Sequence, residues 1–462
     1  MAVTSTIMGA LASWIGEQRW FSGKGSAPRL RLIGSLEFPG EHEVRVSTYL
    51  ILDESSEPAV LYQVPITERR VPLSSLAHAQ IATLTDENGG RQYLYDGPHD
   101  PAFAEQLLRL IVEGARIEGE DVRARGIAKK RQVCRNVHSR VLTGEQSNTS
   151  IVYTFDSDGD APAQRVICKL FRTLQDGENP DVVLQSVLFE AGSHSVPGTL
   201  GSVLGEWADA RAPGRRARGH LAFAQEFLAD AGDAWRLALA AATIGADFRQ
   251  SARQIGIATA DIHSTLAMTM RTREPTSDDI DTIISGWHSR LDAAIKEVPQ
   301  FAAVREPIAA LYARAQELPW PRLQRIHGDL HLGQILAMPN DLWVIIDFEG
   351  EPMRSLAERS RLDVPLRDVA GMLRSFDYVA GAAQNSPEIL AWAHACRHAF
   401  LGGYIQRAGG GVQRHRVLLD AFELDKALYE AVYEARSRPA WLSIPSAAIH
   451  RLAKRAQPGH SG

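Results

Sequence analysis

Short alternating runs fill the first half of the chain, and a longer, helical period fills the second. Within VRVSTYLILD the residues Val44, Val46, Thr48 and Leu50 alternate in register, and RLRLIGSLEF and AVLYQVPIT are similar runs bounded by turns. This predicts a small β-rich unit over residues 1 to about 90, behind a first helix around Met8 to Ile15. Residues 102–114 read as a helix with Phe103, Leu107, Leu108 and Ile111 on one face. A second β-rich block runs from about Asp121 to Leu228, through SRVLTGEQSNTSIVYTF, RVICKLF, a helix-like NPDVVLQSVLFEAG, LGSVLGEWA and HLAFAQEFLAD. From about Ala234 the pattern turns helical. SARQIGIATADIHSTLAM sets Ile255, Ala258, Ile262 and Leu266 on one stripe, and helices continue to the end except around residues 324–352.

That exception, QRIHGDLHLGQIL followed by AMPNDLWVIIDFEGEP, is where polar chemistry concentrates. QILAM and LWVIID flank the turn signal Pro339-Asn340-Asp341 and read as a β-hairpin. The hairpin brings Asp347 back towards the loop holding Asp329 and Gln334. Three readings compete: a turn with satisfied polar groups, a transition-metal site built on His327, Asp329 and His331, or phosphoryl transfer. In the last, Asp329 deprotonates a hydroxyl, Gln334 (334 − 329 = 5) and Asp347 (347 − 329 = 18) hold Mg²⁺, and the order matches that of kinase catalytic loops.

Upstream, RVICKLF places Lys169 inside an apolar strand, where a lysine needs an anionic partner unless it lies on a sheet edge. It follows the turn-rich GEQSNTS, in which Gly144, Ser147, Asn148 and Thr149 offer backbone and hydroxyl donors to phosphates. Donor loop, strand lysine, helix, strand ending QEFL, helical half, HGD loop, hairpin and DFE follow one another in the order of a kinase, which favours phosphoryl transfer.

The totals narrow the setting. At ~150 residues per domain, 462 residues suggest about two or three structural units. A net charge of −5 does not call for a nucleic-acid surface. The three cysteines share no close spacing, which points to a reducing compartment. The first residues carry no positive charge ahead of their apolar stretch, unlike a secretory signal, and no apolar run reaches the ~20 residues of a membrane span. A soluble, cytoplasmic protein is expected. RAPGRRARGH, set among Pro and Gly, reads as a solvated loop.

GEQSNTS, KLFR, NPDV, AQEFL, RIHGDLHLGQIL, IDFEGEP, PLRDVAGMLRSFDY and ELDKALYEAVYEARSRPAWLSIP together resemble the actinobacterial maltokinases, of the kinase superfamily that includes aminoglycoside and choline kinases. WIGEQRWFSGKG looks like the start of their N-terminal cap. The resemblance implies an α+β, bilobal protein-kinase-like fold with a β-rich N-lobe, a mostly helical C-lobe and an additional β-rich cap. The divisions are a cap over 1–95, an N-lobe over 96–228 and a C-lobe over 229–462. It implies ATP- and Mg²⁺-dependent phosphorylation of maltose to maltose 1-phosphate, feeding α-glucan synthesis, and association with trehalose synthase. Related kinases act on glucosamine, which is the alternative substrate, and a weakly active binding module is a further one.

By the same resemblance Asp329 is the base, Gln334 and Asp347 are Mg²⁺ ligands, and Lys169 binds phosphate. Gln225, Glu226, Phe227 and Leu228 form the hinge beside adenine. Val183 stands where the family is expected to carry the lysine's acidic partner; Asp181 and Glu190 are the local substitutes, and Glu190 is expected as the partner. In DKALYEAVYEARSRPAW, Asp425, Tyr429, Tyr433 and Arg436 lie near one helix face, beside Lys426, Glu430 and Glu434. Alone this suits an ion-paired surface; with Trp441 it also suits a sugar cleft. Lys426, Glu430, Tyr433, Arg436, His331 and Tyr378 are the expected sugar contacts, and His327 is expected to brace the loop.

Overall fold

The computed structural model describes residues 2–39, 43–85, 89–130, 137–142, 147–156, 165–212, 214–351, 354–409 and 411–457. They pack as two compact units, Met1–Ser186 with Pro197–Ala229, and Val187–Val196 with Asp230–Gly462.

The first unit opens with helix α1 (Ala2–Trp14) and strands β1 (Leu30–Glu37), β2 (Val44–Asp53), β3 (Val60–Arg69), β4 (Gln80–Thr85) and β5 (Arg91–Asp96). They form an antiparallel sheet in the order β1-β2-β3-β5-β4. The alternation in β2 has a physical cause: its two faces enter different cores. Tyr49 and Ile51 pack with Ile7, Leu11 and Ile15 of the N-terminal helical segment, while Val46, Leu50 and Leu52 pack with Phe103, Leu107 and Leu108. Those last three lie on α2 (Pro101–Glu113), where the expected helix 102–114 forms. Asp100 caps it, accepting from the Ala102 N–H at 3.0 Å, and Gly114 ends it at φ +61°.

A second sheet follows, of β6 (Arg116–Glu118), β7 (Val122–Ala128), β8 (Val137–Val141), β9 (Asn148–Phe155), β10 (Arg165–Phe171), β12 (Thr199–Ala208) and β13 (Arg216–Glu226), in the order β6-β7-β12-β13-β10-β9-β8. The intervening β11 (Thr173–Leu174) joins the first sheet instead, against β3. Helix α3 (Pro180–Glu190) follows it.

The second unit is mostly helical. Its small sheet is β14 (Gly232–Asp233), β15 (Ile335–Ala337) and β16 (Trp343–Ile345), the last two forming the expected hairpin. Its helices are α4 (Ala234–Ile244), α5 (Arg249–Thr269), α6 (Ser277–Glu297), α7 (Arg305–Glu317), α8 (Leu356–Arg359), α9 (Leu366–Ala382), α10 (Pro387–Ala408), α11 (Gly411–Arg414), α12 (Arg416–Ser437) and α13 (Ser443–Ala456). α5 and α10 meet backbone to backbone: a Cβ on Gly256 would stand 2.1 Å from the Phe400 carbonyl, and one on Gly403 2.0 Å from that of Arg253. No helix among the described residues is long and apolar enough to cross a membrane.

Candidate active site

The HGD loop is held from beneath by one buried acid. Asp368, in the first turn of α9, accepts from the backbone N–H groups of His327 and Gly328, both at 2.8 Å. Its other partner is His263 Nε2 at 3.0 Å, and His263 Nδ1 meets the Tyr404 hydroxyl at 2.8 Å. Burial alone would raise the Asp368 carboxyl, but His263 and the loop amides hold it below the usual range. A Cβ on Gly371 would stand 2.5 Å from the Leu330 carbonyl, so α9 and the loop touch at bare backbone. Ser375, one turn on, accepts from the Leu332 N–H at 3.0 Å.

His327 is buried, its Nε2 3.0 Å from the Ile346 carbonyl and its Nδ1 accepting from the Asp329 N–H at 3.3 Å. It braces the loop, as its neighbours suggest. Asp329 is partly exposed, with Lys426 Nζ 3.2 Å from its Oδ1. His331 Nδ1 accepts from the Gly333 N–H at 3.1 Å, and burial lowers its pKa, favouring the neutral ring. The hairpin closes the group: the Gln334 amide donates to Asp347 at 3.1 Å, and Ile346 N–H donates to the Gln334 carbonyl at 3.0 Å. Asp347 sits in the left-handed region at φ +67°, which sends the chain away from the strand at the carboxylate. The Asp347 carboxylate meets the Gln334 side chain through its amide nitrogen, and the oxygen of the same amide with the carboxylate is the donor set a hard, oxygen-seeking cation would take; the two histidines are engaged elsewhere.

Asp329 opens into a cavity of about 720 Å³. Its walls are His331, Ser375, Tyr378, Lys426, Tyr429, Glu430, Tyr433, Glu434, Arg438 and Trp441, with Trp235 and Glu351. Five of the six expected sugar contacts are therefore together. Lys426 also reaches Glu351 at 3.6 Å; burial alone would lower its pKa, but Asp329 and Glu351 raise it above the ordinary lysine value. Glu430 accepts from Arg374 Nε at 2.8 Å, and the buried Arg374 in turn holds Asp377 at 2.6 Å. Tyr378 donates to Glu434 at 3.0 Å and stacks on Trp441 with ring centroids 6.2 Å apart.

Arg436 is the exception. It is exposed and pairs with Glu297 at the end of α6, at 2.8 Å. At 3.6 residues per turn it lies about 80° round the helix from Lys426, off the cavity face. Arg438, just past the helix, takes the place expected of it, with its guanidinium 5.4 Å from the Tyr433 ring centre and 5.0 Å from that of Trp441.

In the first unit Lys169 Nζ stands 2.9 Å from Asp181, which is fully buried in the first turn of α3. This corrects the expectation of Glu190. That residue lies at the exposed far end of the same helix, nine positions on (190 − 181 = 9) and about 13 Å along its axis. Val183 thus costs the lysine no partner. Among the expected phosphate donors, Ser147 is exposed and Asn148 half-buried; Thr149 is buried, its hydroxyl accepting from Arg172 Nε at 2.8 Å, so it supports the segment from within. Gly144 lies outside the described residues. Gln225 is buried, and the Glu226 and Phe227 N–H groups donate to the carbonyls of Gly198 at 2.7 Å and Arg165 at 3.0 Å.

Sequence reasoning passed over Asp368, Gly371, Arg374 and Ser375, although PLRDVAGMLRSFDY carries a signal for them. Asp368, Gly371, Ser375 and Tyr378 recur at helical spacing as a small-and-polar stripe through an apolar helix. Trp235 and Glu351 carried no such mark.

Residues 14–100 match the maltokinase N-terminal cap domain, and residues 204–418 match the phosphotransferase enzyme family. A glucosamine kinase of Mycolicibacterium smegmatis is 27% identical over 339 residues, covering 68% of this chain and 79% of that protein. A glucosamine kinase of Streptacidiphilus jiangxiensis is 28% identical over 219 residues, 44% of this chain and 49% of that one. The solved structure of a glucosamine kinase in complex with glucosamine, ADP and inorganic phosphate aligns with 96% of this chain and 98% of its own, at a TM-score of 0.63 and 19% identity. The fold is thus kinase-like, β-rich ahead and helical behind. A match to the maltokinase N-terminal cap domain thus stands ahead of a match to the phosphotransferase enzyme family, and the chain is a kinase.

Proposed function

We propose that this kinase transfers the γ-phosphate of ATP to a sugar, with the anomeric hydroxyl of maltose as acceptor and maltose 1-phosphate as product. The observation that carries the reading is Asp329 opening into a cavity of about 720 Å³ whose walls mix aromatic faces with charged hydrogen-bonding groups. That volume is in the upper part of the ~300–1,000 Å³ usual for small ligands and suits two sugar rings. Aromatics pack on sugar C–H faces, and carboxylates, Lys426 and Arg438 address hydroxyls.

In this reading Asp329, oriented by Lys426, takes the proton of the sugar hydroxyl as its oxygen bonds to the γ-phosphorus and the bond to the bridging oxygen of ADP breaks. His331, neutral and beside the base, hydrogen-bonds the reacting sugar. Lys169, set by Asp181, binds phosphate oxygens, and Ser147 and Asn148 add donors. The QEFL stretch serves adenine with Leu228 N–H, since the N–H groups of Glu226 and Phe227 already serve neighbouring strands. Gln334 and Asp347 would hold Mg²⁺, which when bound with ATP neutralises phosphate charge.

A coupled ADP-release assay over a sugar panel tests this. The expected outcome is Mg²⁺-dependent turnover, fastest on maltose; no turnover on any sugar would reject the reading. Glucosamine is the second acceptor to try, supported by the names of the relatives and by the acids Glu430 and Glu434 in the walls. Glu430→Gln separates the two. It should raise KM for neutral maltose only about three- to ten-fold, as one lost hydrogen bond does. For an ammonium-bearing sugar the loss of the charge partner should cost about a hundred-fold.

A further inference from the structure

The strand carrying Lys169 does not end with its own sheet. β10 stops at Phe171, and one residue later β11 pairs with β3 of the cap, Thr173 opposite Tyr62 and Leu174 opposite Leu61. The residue between is Arg172, whose side chain is fully buried. Its Nη2 donates to both oxygens of Asp96, at 2.9 and 2.8 Å, and its Nε to Thr149 Oγ1 at 2.8 Å. Its guanidinium lies 4.7 Å over the ring of Trp20. The Arg172 carbonyl accepts from the Gln63 N–H at 2.8 Å.

A buried, paired arginine is seldom worth more to stability than apolar residues of the same volume, but it fixes geometry. Here the geometry joins two pieces of sequence. Asp96 and Trp20 belong to the matched cap region, whereas Thr149 sits opposite Leu170 on β9, beside the strand of Lys169. Ser147 and Asn148, two of the expected phosphate donors, immediately precede Thr149. A shift of Arg172 would therefore move both the strand lysine, three residues back, and Thr149, which directly follows Ser147 and Asn148.

We propose that Arg172 is a positioning residue through which the cap sets nucleotide affinity. The inference rests on the reading of Lys169, Ser147 and Asn148 as part of the phosphate site. Through Arg172 the cap acts on ATP, not on the sugar.

The test compares wild type with Arg172→Met and Arg172→Lys by calorimetric titration with ADP and Mg²⁺, by KM for ATP and for the best sugar, and by thermal unfolding. Arg172→Met should weaken ADP binding about ten-fold or more, the scale of a lost charged hydrogen bond, and raise KM for ATP alike. KM for the sugar should stay within about two-fold, and Arg172→Lys should recover part of the loss. A merely structural role would lower the amount of active enzyme and leave KM alone. Should Arg172→Met not fold, Asp96→Asn, which keeps the guanidinium and an acceptor, should still weaken ADP by about three-fold or more. A folded variant of either kind with wild-type ADP affinity overturns the proposal. Wild type that fails to bind ADP with Mg²⁺ overturns the phosphate-site reading and the proposal together; equal binding by wild type and variants removes the proposal alone.

Discussion

In the proposed mechanism the chemistry turns on Asp329, and its surroundings say what its removal should do. Asp329→Asn keeps the shape and the contact with Lys426 but cannot take a proton. The expected result is a kcat lower by roughly 10²–10⁴ with ADP affinity unchanged; a drop under about three-fold would remove Asp329 from the role of base. The meeting of Gln334 and Asp347 was legible because one hairpin joins them, with Asp329 on the loop just ahead. Lys169 was legible as a charge in need of a partner, but the choice between Asp181 and Glu190 was not. Both acids are on one helix, and only its placement decides which end the lysine meets. Arg436 was misplaced for a related reason. On a helix of 22 residues the polar stripe is wide, and neighbours on α6 claim part of it.

At the scale of elements, α9 underlies the HGD loop through contacts that span about forty residues in sequence; its small-and-polar stripe marks the face that makes them but not the loop it meets. Gly371→Ala would put a methyl 2.5 Å from the Leu330 carbonyl, and the HGD loop must give way because both sides are backbone. kcat should fall about ten-fold or more, since small displacements of a base are costly, while the ADP dissociation constant holds. Unchanged kcat would mean the loop tolerates the shift. A second element is tuned by pH. His220 Nδ1 accepts from the Asn179 N–H at 3.1 Å, just ahead of α3, which presents Asp181 to Lys169. Burial, helped by Arg218, lowers the pKa of His220 from 6.5 to about 4. The folded state thus binds the proton more weakly than the unfolded chain. Its contribution is complete above pH ~6.5 and is lost as pH falls towards ~4, amounting to about 3 kcal/mol. Urea unfolding of wild type and His220→Gln between pH 7.5 and 4.5 should show the gap between them narrowing on acidification. A gap independent of pH would refute the linkage.

For the whole molecule, the sequence suggested a cap separate from the sheet that follows, because turns and a helix punctuate the two β-rich blocks. Packing places both in one unit, Met1–Ser186 with Pro197–Ala229. Alternation along β2 showed that each face was partly apolar, but not that each would meet a different core. Leu50 and Leu52 of the cap share a buried cluster with Leu107 and Ile111 of α2 and with Val203 and Phe223 of the second sheet. Phe103 stands at the junction, 1% exposed, its ring edge-on to Phe38 of the cap at 5.7 Å. One continuous core cannot melt on one side only, since opening either sheet exposes the apolar face of the other. Phe103→Ala should therefore cost about 3–5 kcal/mol, the usual price of an emptied aromatic site. Native-state hydrogen exchange should report that loss equally in β3 of the cap and in β10, the strand of Lys169. If β10 alone loses protection, the cap is an independent domain, and its influence on the nucleotide would have to pass through Arg172 without support from the core.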